Sequence, residues 1–302
     1  MASALISTAE QAYIRQGVVE GIRGDGRGRA DYRDYLLSVN VISHSSGSAR
    51  CRVGFGTDVL VGVKAEVAMI EPGEAPNRGR VQCHVECSPS AARQFQARLT
   101  DELNNDLTQF LTRALNDFGG IDLDKLAIIP NQACWVLYID AMILDFDGNV
   151  HDTLLIATRA ALANTRIPKV EVQALEDGQQ EYDVIDDPEA ATPVPGWEDA
   201  PLCVTLNWTG DGYVADATHQ EELCTDAKLM VCVNRHGDIC SMQKSTLGTI
   251  PQATFLEMLE NATKIAAQII PTVDQRLKEE HERTAQQVSG GHKSTFMTNT
   301  FL

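Results

Sequence analysis

Nowhere in these 302 residues is there an apolar run long enough to cross a bilayer. The longest, Ala133–Leu144, contains Asp140 and stops at Asp145, whereas a spanning helix needs ~20 apolar residues. The first residues, Met1-Ala-Ser-Ala-Leu-Ile6, lack the basic and then apolar regions of a secretory signal. Membrane and export roles are therefore not expected. Positive charge is also scarce: 25 Lys and Arg against 42 Asp and Glu give a net charge of −17. Nucleic acids are gripped mainly by cations that displace counterions, so this chain is expected to hold RNA or DNA poorly on its own. A local basic patch or basic partners stay compatible with that count. No P-loop, GxGxxG, HExxH or GxSxG stands in a suitable context. The 8 cysteines include no CxxC pair. Cys83 and Cys87 share one face of the alternating segment Val81–Cys87, and Cys224, Cys232 and Cys240 stand eight apart. They are expected to be reduced structural thiols of an intracellular protein, with no metal site.

What is present is the composition of a folded protein, 43% hydrophobic and 22% charged. The length is about twice the ~150 residues of one domain, which favours two domains. Ser7-Thr-Ala-Glu10 is a capping-box pattern opening a helix to about Glu20. The Gly/Arg run Gly21–Arg29 then breaks it, and an ordered, turn-rich lead-in fits this single short run better than a flexible nucleic-acid tail. Strand signals follow at Tyr35–Ile42, Ala49–Gly56, Asp58–Val67 and Val81–Cys87, the middle two as a hairpin. Between Thr100 and Phe118 the period becomes helical: Leu103, Leu107, Phe110, Leu111, Ala114, Leu115 and Phe118 line one face, and Gly119-Gly120 ends the helix. Ala133–Leu144 reads as a long strand and His151–Thr165 as a helix. The acidic, Pro-containing stretch Leu175–Ala200 reads as a loop and linker. Four short strands (Leu202–Trp208, Gly212–Asp216, Lys228–Asn234, Asp238–Lys244) and a helix from about Pro251 complete the pattern, before a polar tail at Gly290–Leu302. The expected layout is a lead-in over 1–30, a first unit over 31–168, a linker over 169–200, a second unit over 201–288 and a tail over 289–302. Each unit is α+β, a sheet with helices on one side.

Three places carry a site hypothesis. At Asp145–Asp152 a strand turns into a helix whose N-terminus is suited to an anion; no Lys or Arg lies between Gly148 and Thr158, and a polar turn explains the segment better. At Asp216-Ala-Thr-His-Gln-Glu-Glu222, with Asp226 beyond, clustered carboxylates suit Mg²⁺ or general acid–base work and His219 is a candidate base. A charged turn is the plainer meaning. At Ser88–Arg98, Arg93, Phe95 and Arg98 precede a helix, as a nucleic-acid contact or as a simple helix approach.

An ordered series of short motifs now becomes informative: Arg23–Arg29, Gly47-Ser-Ala49, Gly56-Thr-Asp-Val59, Val63-Lys-Ala-Glu66, Cys134–Asp140, Asp147-Gly-Asn149, Ala160–Pro168 and Asp216–Glu222. In order and spacing, from about residue 12 to about residue 270, it resembles the RNase PH family, and within it the ring subunits of the eukaryotic RNA exosome. The resemblance implies an RNase PH-like α+β fold of two βαβ-type sheet-and-helix units, a ribosomal protein S5 domain 2-like core plus a smaller C-terminal unit. It further implies a ring of six RNase PH-like subunits under RNA-binding S1/KH caps. RNA would thread through the ring to an associated 3′→5′ nuclease. No cofactor or metal is implied, and the places are nucleus, nucleolus and cytoplasm.

Active family members attack the RNA 3′ end with inorganic phosphate held at a Gly-Ser/Thr-Arg turn. The turn here is Gly148-Asn149-Val150, with valine where the arginine belongs. The family's Asp-x-x-x-x-Glu-Asp run survives as Asp216 through Glu222, its last Asp replaced by Glu. The Arg-Arg-Ser-x-Glu-Ile segment is Arg98-Leu99-Thr100-Asp101-Glu102-Leu103, one arginine short. Removing one group that stabilises developing charge commonly costs ~2.7–4 kcal/mol of barrier. Phosphate would also lie beside Asp147 and Asp152 with no counter-charge. The expectation is a non-catalytic ring subunit whose positions Gly148, Asn149, Val150, Asp216 and Glu222 are a degenerate site. Arg93 and Arg98 would face the RNA path, and edge strands would pair with neighbouring subunits. The rival is a phosphate-dependent 3′→5′ exoribonuclease completed by a neighbour; a stand-alone RNA binder fits the acidity least.

Overall fold

The structure, a computed structural model, describes residues 6–70, 77–91, 97–116, 121–174, 180–185, 187, 190–245 and 248–289. The chain opens with helix α1 (Thr8–Glu20), where the Ser7 side chain accepts the Glu10 N–H and Gly21 closes the helix in the left-handed conformation. After the lead-in come β1 (Tyr35–Val39), β2 (Gly47–Val53), β3 (Thr57–Met69), β4 (Arg80–Cys87), α2 (Ala97–Asn116), β5 (Ala127–Ile129), β6 (Ala133–Asp145) and α3 (Val150–Asn164). Then follow β7 (Arg166–Ile167), β8 (Lys169–Ala174), β9 (Gln180–Ile185), β10 (Thr192–Pro193), β11 (Leu202–Trp208), β12 (Tyr213–Ala215), α4 (His219–Leu223), β13 (Ala227–Val233), β14 (Ile239–Ser245) and α5 (Gln252–Ser289).

The first sheet runs β1-β2-β3-β6-β4, with β5 also on β6. It is antiparallel except that β4 lies parallel to β6, Cys83 opposite Ile139. A parallel neighbour needs a crossover, and α2 supplies it, burying Leu107, Phe110, Leu111, Ala114 and Leu115 as its period requires. The expected helix end at Gly119-Gly120 lies outside the described residues. The second sheet runs β12-β11-β13-β14, all antiparallel.

One expectation is corrected. The stretch from 175 to 200 is not one loop: its residues Gln180–Ile185 form β9, which pairs with β8 as a hairpin, Val172 opposite Tyr182, and Thr192-Pro193 pair with β7. Alternating Val and Tyr at β spacing carried that signal, and the surrounding acids obscured it. The two sheets share one core. α3 packs on β2 and β3 of the first sheet and on β11 of the second, while α5 packs on β11, β13 and β1. One continuous apolar cluster therefore spans both sheets. A helix apolar all round is a buried one, and α3, buried at Val150 and from Asp152 to Ala163, is that helix. Its one large cation, Arg159, pairs with Asp274 of α5 through Nε and Nη2, both at 3.0 Å, and donates to the Glu198 and Ala200 carbonyls. All 8 cysteines are free thiols, and burial pushes Cys83 up to about 12 and Cys87 up to about 11.

Candidate functional site

The long strand β6 delivers the chain to a turn at Asp147-Gly148, and α3 starts immediately after. Thr57, at the start of β3, fixes this turn: its hydroxyl accepts the Asp147 N–H at 3.0 Å and donates to the Gly148 carbonyl at 2.6 Å. Gly148 has φ +83, and a Cβ there would lie 2.5 Å from the Ala217 carbonyl, so no other residue fits. Asn149 and Asp216 are non-glycine residues at φ 57 and φ 44. Each such conformation costs about 1–3 kcal/mol and persists only where its surroundings over-determine it. Here the two strained residues hold each other, Asn149 Nδ2 donating to Asp216 Oδ1 at 2.7 Å.

Around that bond lies a closed polar network. Asp216 is wholly buried, and besides Asn149 it accepts from the Arg33 backbone N–H (2.7 Å), Arg33 Nε (3.0 Å), Arg33 Nη2 (2.9 Å) and Arg27 Nη1 (2.8 Å). Burial pushes its carboxyl up, but the Arg33 guanidinium and these hydrogen bonds outweigh that and hold it below the usual carboxylate range. Arg23, buried, grips Glu221 through Nε (2.9 Å) and Nη2 (2.7 Å) and donates to the Ala215 and Asp216 carbonyls. The Gly/Arg lead-in is thus an ordered clamp on the second sheet's β12–α4 turn.

Asn149 Nδ2 also donates to Asp152 Oδ2 at 3.0 Å. Asp152, buried in α3, accepts further from the Tyr32 hydroxyl (2.7 Å), the Thr205 N–H (3.1 Å) and the Thr205 hydroxyl (2.7 Å). Burial raises its carboxyl to about 6 despite those donors. The network therefore ties lead-in, first unit and second unit at one point.

At the N-terminus of α3, the position of the expected anion, Val150 is buried and the Asn149 N–H donates to Glu222 Oε1 at 3.0 Å. Lys228 Nζ lies 2.9 Å from the same carboxylate. Burial pushes Glu222 up, and the Lys228 charge reverses this and holds it below its usual value. The expectation of no counter-charge here is corrected. A cation is present, but it comes from β13, eighty residues away in sequence, and it is spent on the chain's own carboxylate. Asp147 has Arg33 at 3.6 Å, and Asp152 is spent on Tyr32, Thr205 and the Asn149 side chain.

Of the predicted residues, Gly148, Asn149, Val150, Asp216 and Glu222 converge. His219 does not act on the carboxylates: its ring meets Phe146 edge-on at 5.4 Å, and its buried Nδ1 has no hydrogen-bond partner. Arg93 lies outside the described residues. Arg98 falls in the first turn of α2, and its side chain is outside the description. Each acid of the Asp216–Asp226 run has a cation: Arg33 and Arg27 on Asp216, Arg23 on Glu221, Lys228 on Glu222 and Arg15 on Asp226. Among the described residues no cluster of His, Cys, Asp and Glu is arranged to hold a metal. Arg33, Tyr32, Thr205 and Lys228 carried no signal of their own, being scattered single residues. The Arg-rich lead-in facing an acid-rich run offered a charge complementarity that sequence reading did not use.

This arrangement, an α+β core crossed at its domain junction by an arginine-buttressed Asp…Glu-Glu run, defines a class. Residues 31–168 match the model of the 3′ exoribonuclease family (RNase PH), domain 1, and residues 199–265 match its domain 2; the chain belongs to this family. Within it the chain is similar to the exosome complex component Rrp42 of Methanopyrus kandleri, 32% identical over 90% of this chain and 98% of that one. The RRP42 protein of Dictyostelium discoideum, whose name includes the word exonuclease, is 34% identical over 91% of this chain and 98% of that one. The motifs' likeness to component 7 of the eukaryotic exosome agrees with these relatives. A chain of the Archaeoglobus fulgidus exosome, solved with RNA bound to the active site, superposes with a TM-score of 0.71 at 27% identity, over 87% of this chain and 96% of that one.

Proposed function

We propose that this chain is a non-catalytic subunit of an RNase PH-like exosome ring, serving 3′→5′ RNA processing and decay through assembly and RNA threading alongside cap subunits and an attached nuclease. The observation that carries the reading is the occupied N-terminus of α3: the Asn149 N–H is spent on Glu222 and Glu222 is neutralised by Lys228. Val150 stands where the family resemblance implies a phosphate-binding arginine. Phosphoryl transfer needs cations free to meet developing charge. Here Arg27 and Arg33 are saturated by Asp216 and Arg23 by Glu221. Similarity to Rrp42 components supports the exosome setting, and a charge of −17 is consistent with a member that need not grip RNA alone.

The test is phosphate-dependent release of nucleoside diphosphates from an RNA oligonucleotide, with the full chain alone and with its co-purified subunits. Val150→Arg is expected to gain no such activity, because Glu222 still fills the anion position. Release that rises with phosphate and is lost in Glu222→Gln, with assembly intact, would establish the rival exoribonuclease reading instead.

A further inference from the structure

A groove of about 780 Å³ runs between α1, the lead-in and the start of α4, bordering the Arg23–Glu221 pair just described. Its apolar lining comes from Tyr13, Ile14, Val18 and Ile22. Two of these are left open to water, Tyr13 at 72% and Ile22 at 62% exposure. Neighbouring large apolar side chains at this exposure mark an interaction surface more often than scattered single ones do. Among its polar lining residues are the acids Glu10, Glu20, Asp25 and Asp147. The one cation lining it, Arg23, has a fully buried side chain already spent on Glu221. His219 also lines the groove, and its Nδ1 lacks a partner.

We propose that this groove docks a basic segment of another protein chain, a stretch in which Lys or Arg alternates with bulky apolar residues. The apolar residues would cover Tyr13 and Ile22, and the cations would meet Glu10 and Glu20. Charge decides the occupant. A nucleic acid is repelled by Glu10 and Glu20, which carry no ion pair among the described residues, while Asp25 and Asp147 are already held by Arg27 and Arg33. A second copy of this chain would bring its own charge of −17 against it. The inference is independent of whether the chain is catalytic.

Fluorescence anisotropy with the full chain tests it, using two synthetic probes of equal charge: a peptide alternating Lys and Leu, and one alternating Lys and Ser. The Lys-Leu probe is expected to bind at least about tenfold more tightly. Ile22→Ser, at an exposed position that leaves the fold intact by circular dichroism, is expected to erase that margin, and Glu20→Lys to weaken both probes. Equal binding of the two probes would reduce the surface to diffuse negative charge and overturn the proposal. So would an unaltered margin in Ile22→Ser, or displacement of the Lys-Leu probe by a single-stranded RNA oligonucleotide.

Discussion

Lys228 and Glu222 form a largely buried ion pair at a helix N-terminus, with side chains 18% and 9% exposed. Breaking such a pair strands one charge, whereas removing both members costs little. Lys228→Met is therefore expected to destabilise the chain by about 3 kcal/mol, and the Glu222→Gln/Lys228→Met double variant by much less. Chemical denaturation of the four-member cycle measures the coupling; additive losses would contradict it. Two neighbouring groups set the pH response with opposite sign. Burial pushes His151 down to about 4, with Lys228 adding to the shift and Glu222 opposing it. The unfolded chain then takes up this proton first, and stability is lost as pH falls from about 6.5 towards 4. Asp152, raised to about 6, takes its proton first in the folded state, so its contribution is lost as pH rises from about 4 to about 6. Asp152→Asn is expected to steepen the loss of stability on acidification, and His151→Gln to flatten it. Unfolding midpoints between pH 4 and 7 report both slopes, and identical slopes in all three proteins would exclude this assignment.

At the scale of elements, α3 packs on strands of both sheets, and Arg159 is its only link of opposite charge to α5 among the ion pairs described. Losing the guanidinium leaves Asp274 and the Glu198 and Ala200 carbonyls without their donor. Arg159→Met is expected to speed hydrogen exchange in α5 beyond Pro271 while leaving β3 and β6 protected. Uniform acceleration across the first sheet would show that the pair supports the whole core and not this one attachment. Most elements were legible because their periods were unambiguous: α2 through its leucines at i, i+4, i+8 and i+12, β3 through alternating valines, α1 through Ser7 and Glu10. The hairpin β8–β9 was missed because its apolar residues are few and sit among acids. The completeness of α3's burial was missed because sequence shows an apolar helix without showing that a second sheet covers its far side.

For the whole molecule, one apolar cluster shared by two sheets has a thermodynamic consequence. The units cannot part without exposing both faces of α3 and opening the Asp216–Asn149–Asp152 network. Calorimetry of the full chain is expected to show one transition with equal van't Hoff and calorimetric enthalpies; two resolved transitions would mean the junction is weaker than its burial implies. The amino-acid order by itself determined the family, the α+β class, the valine at position 150 of the Gly148-Asn149-Val150 turn and the excess of acids, because each of these is a property of local pattern or of composition. It brought Asp216 and Glu222 to notice but not their partners. Only the tertiary structure decided that every acid of that run is already paired, and that a lysine on β13 and a glutamate on α4 fill the end of α3. Charges 6 to 211 residues apart meet only in the folded chain, and a desolvated carboxylate's chemistry is set by which cation it meets there.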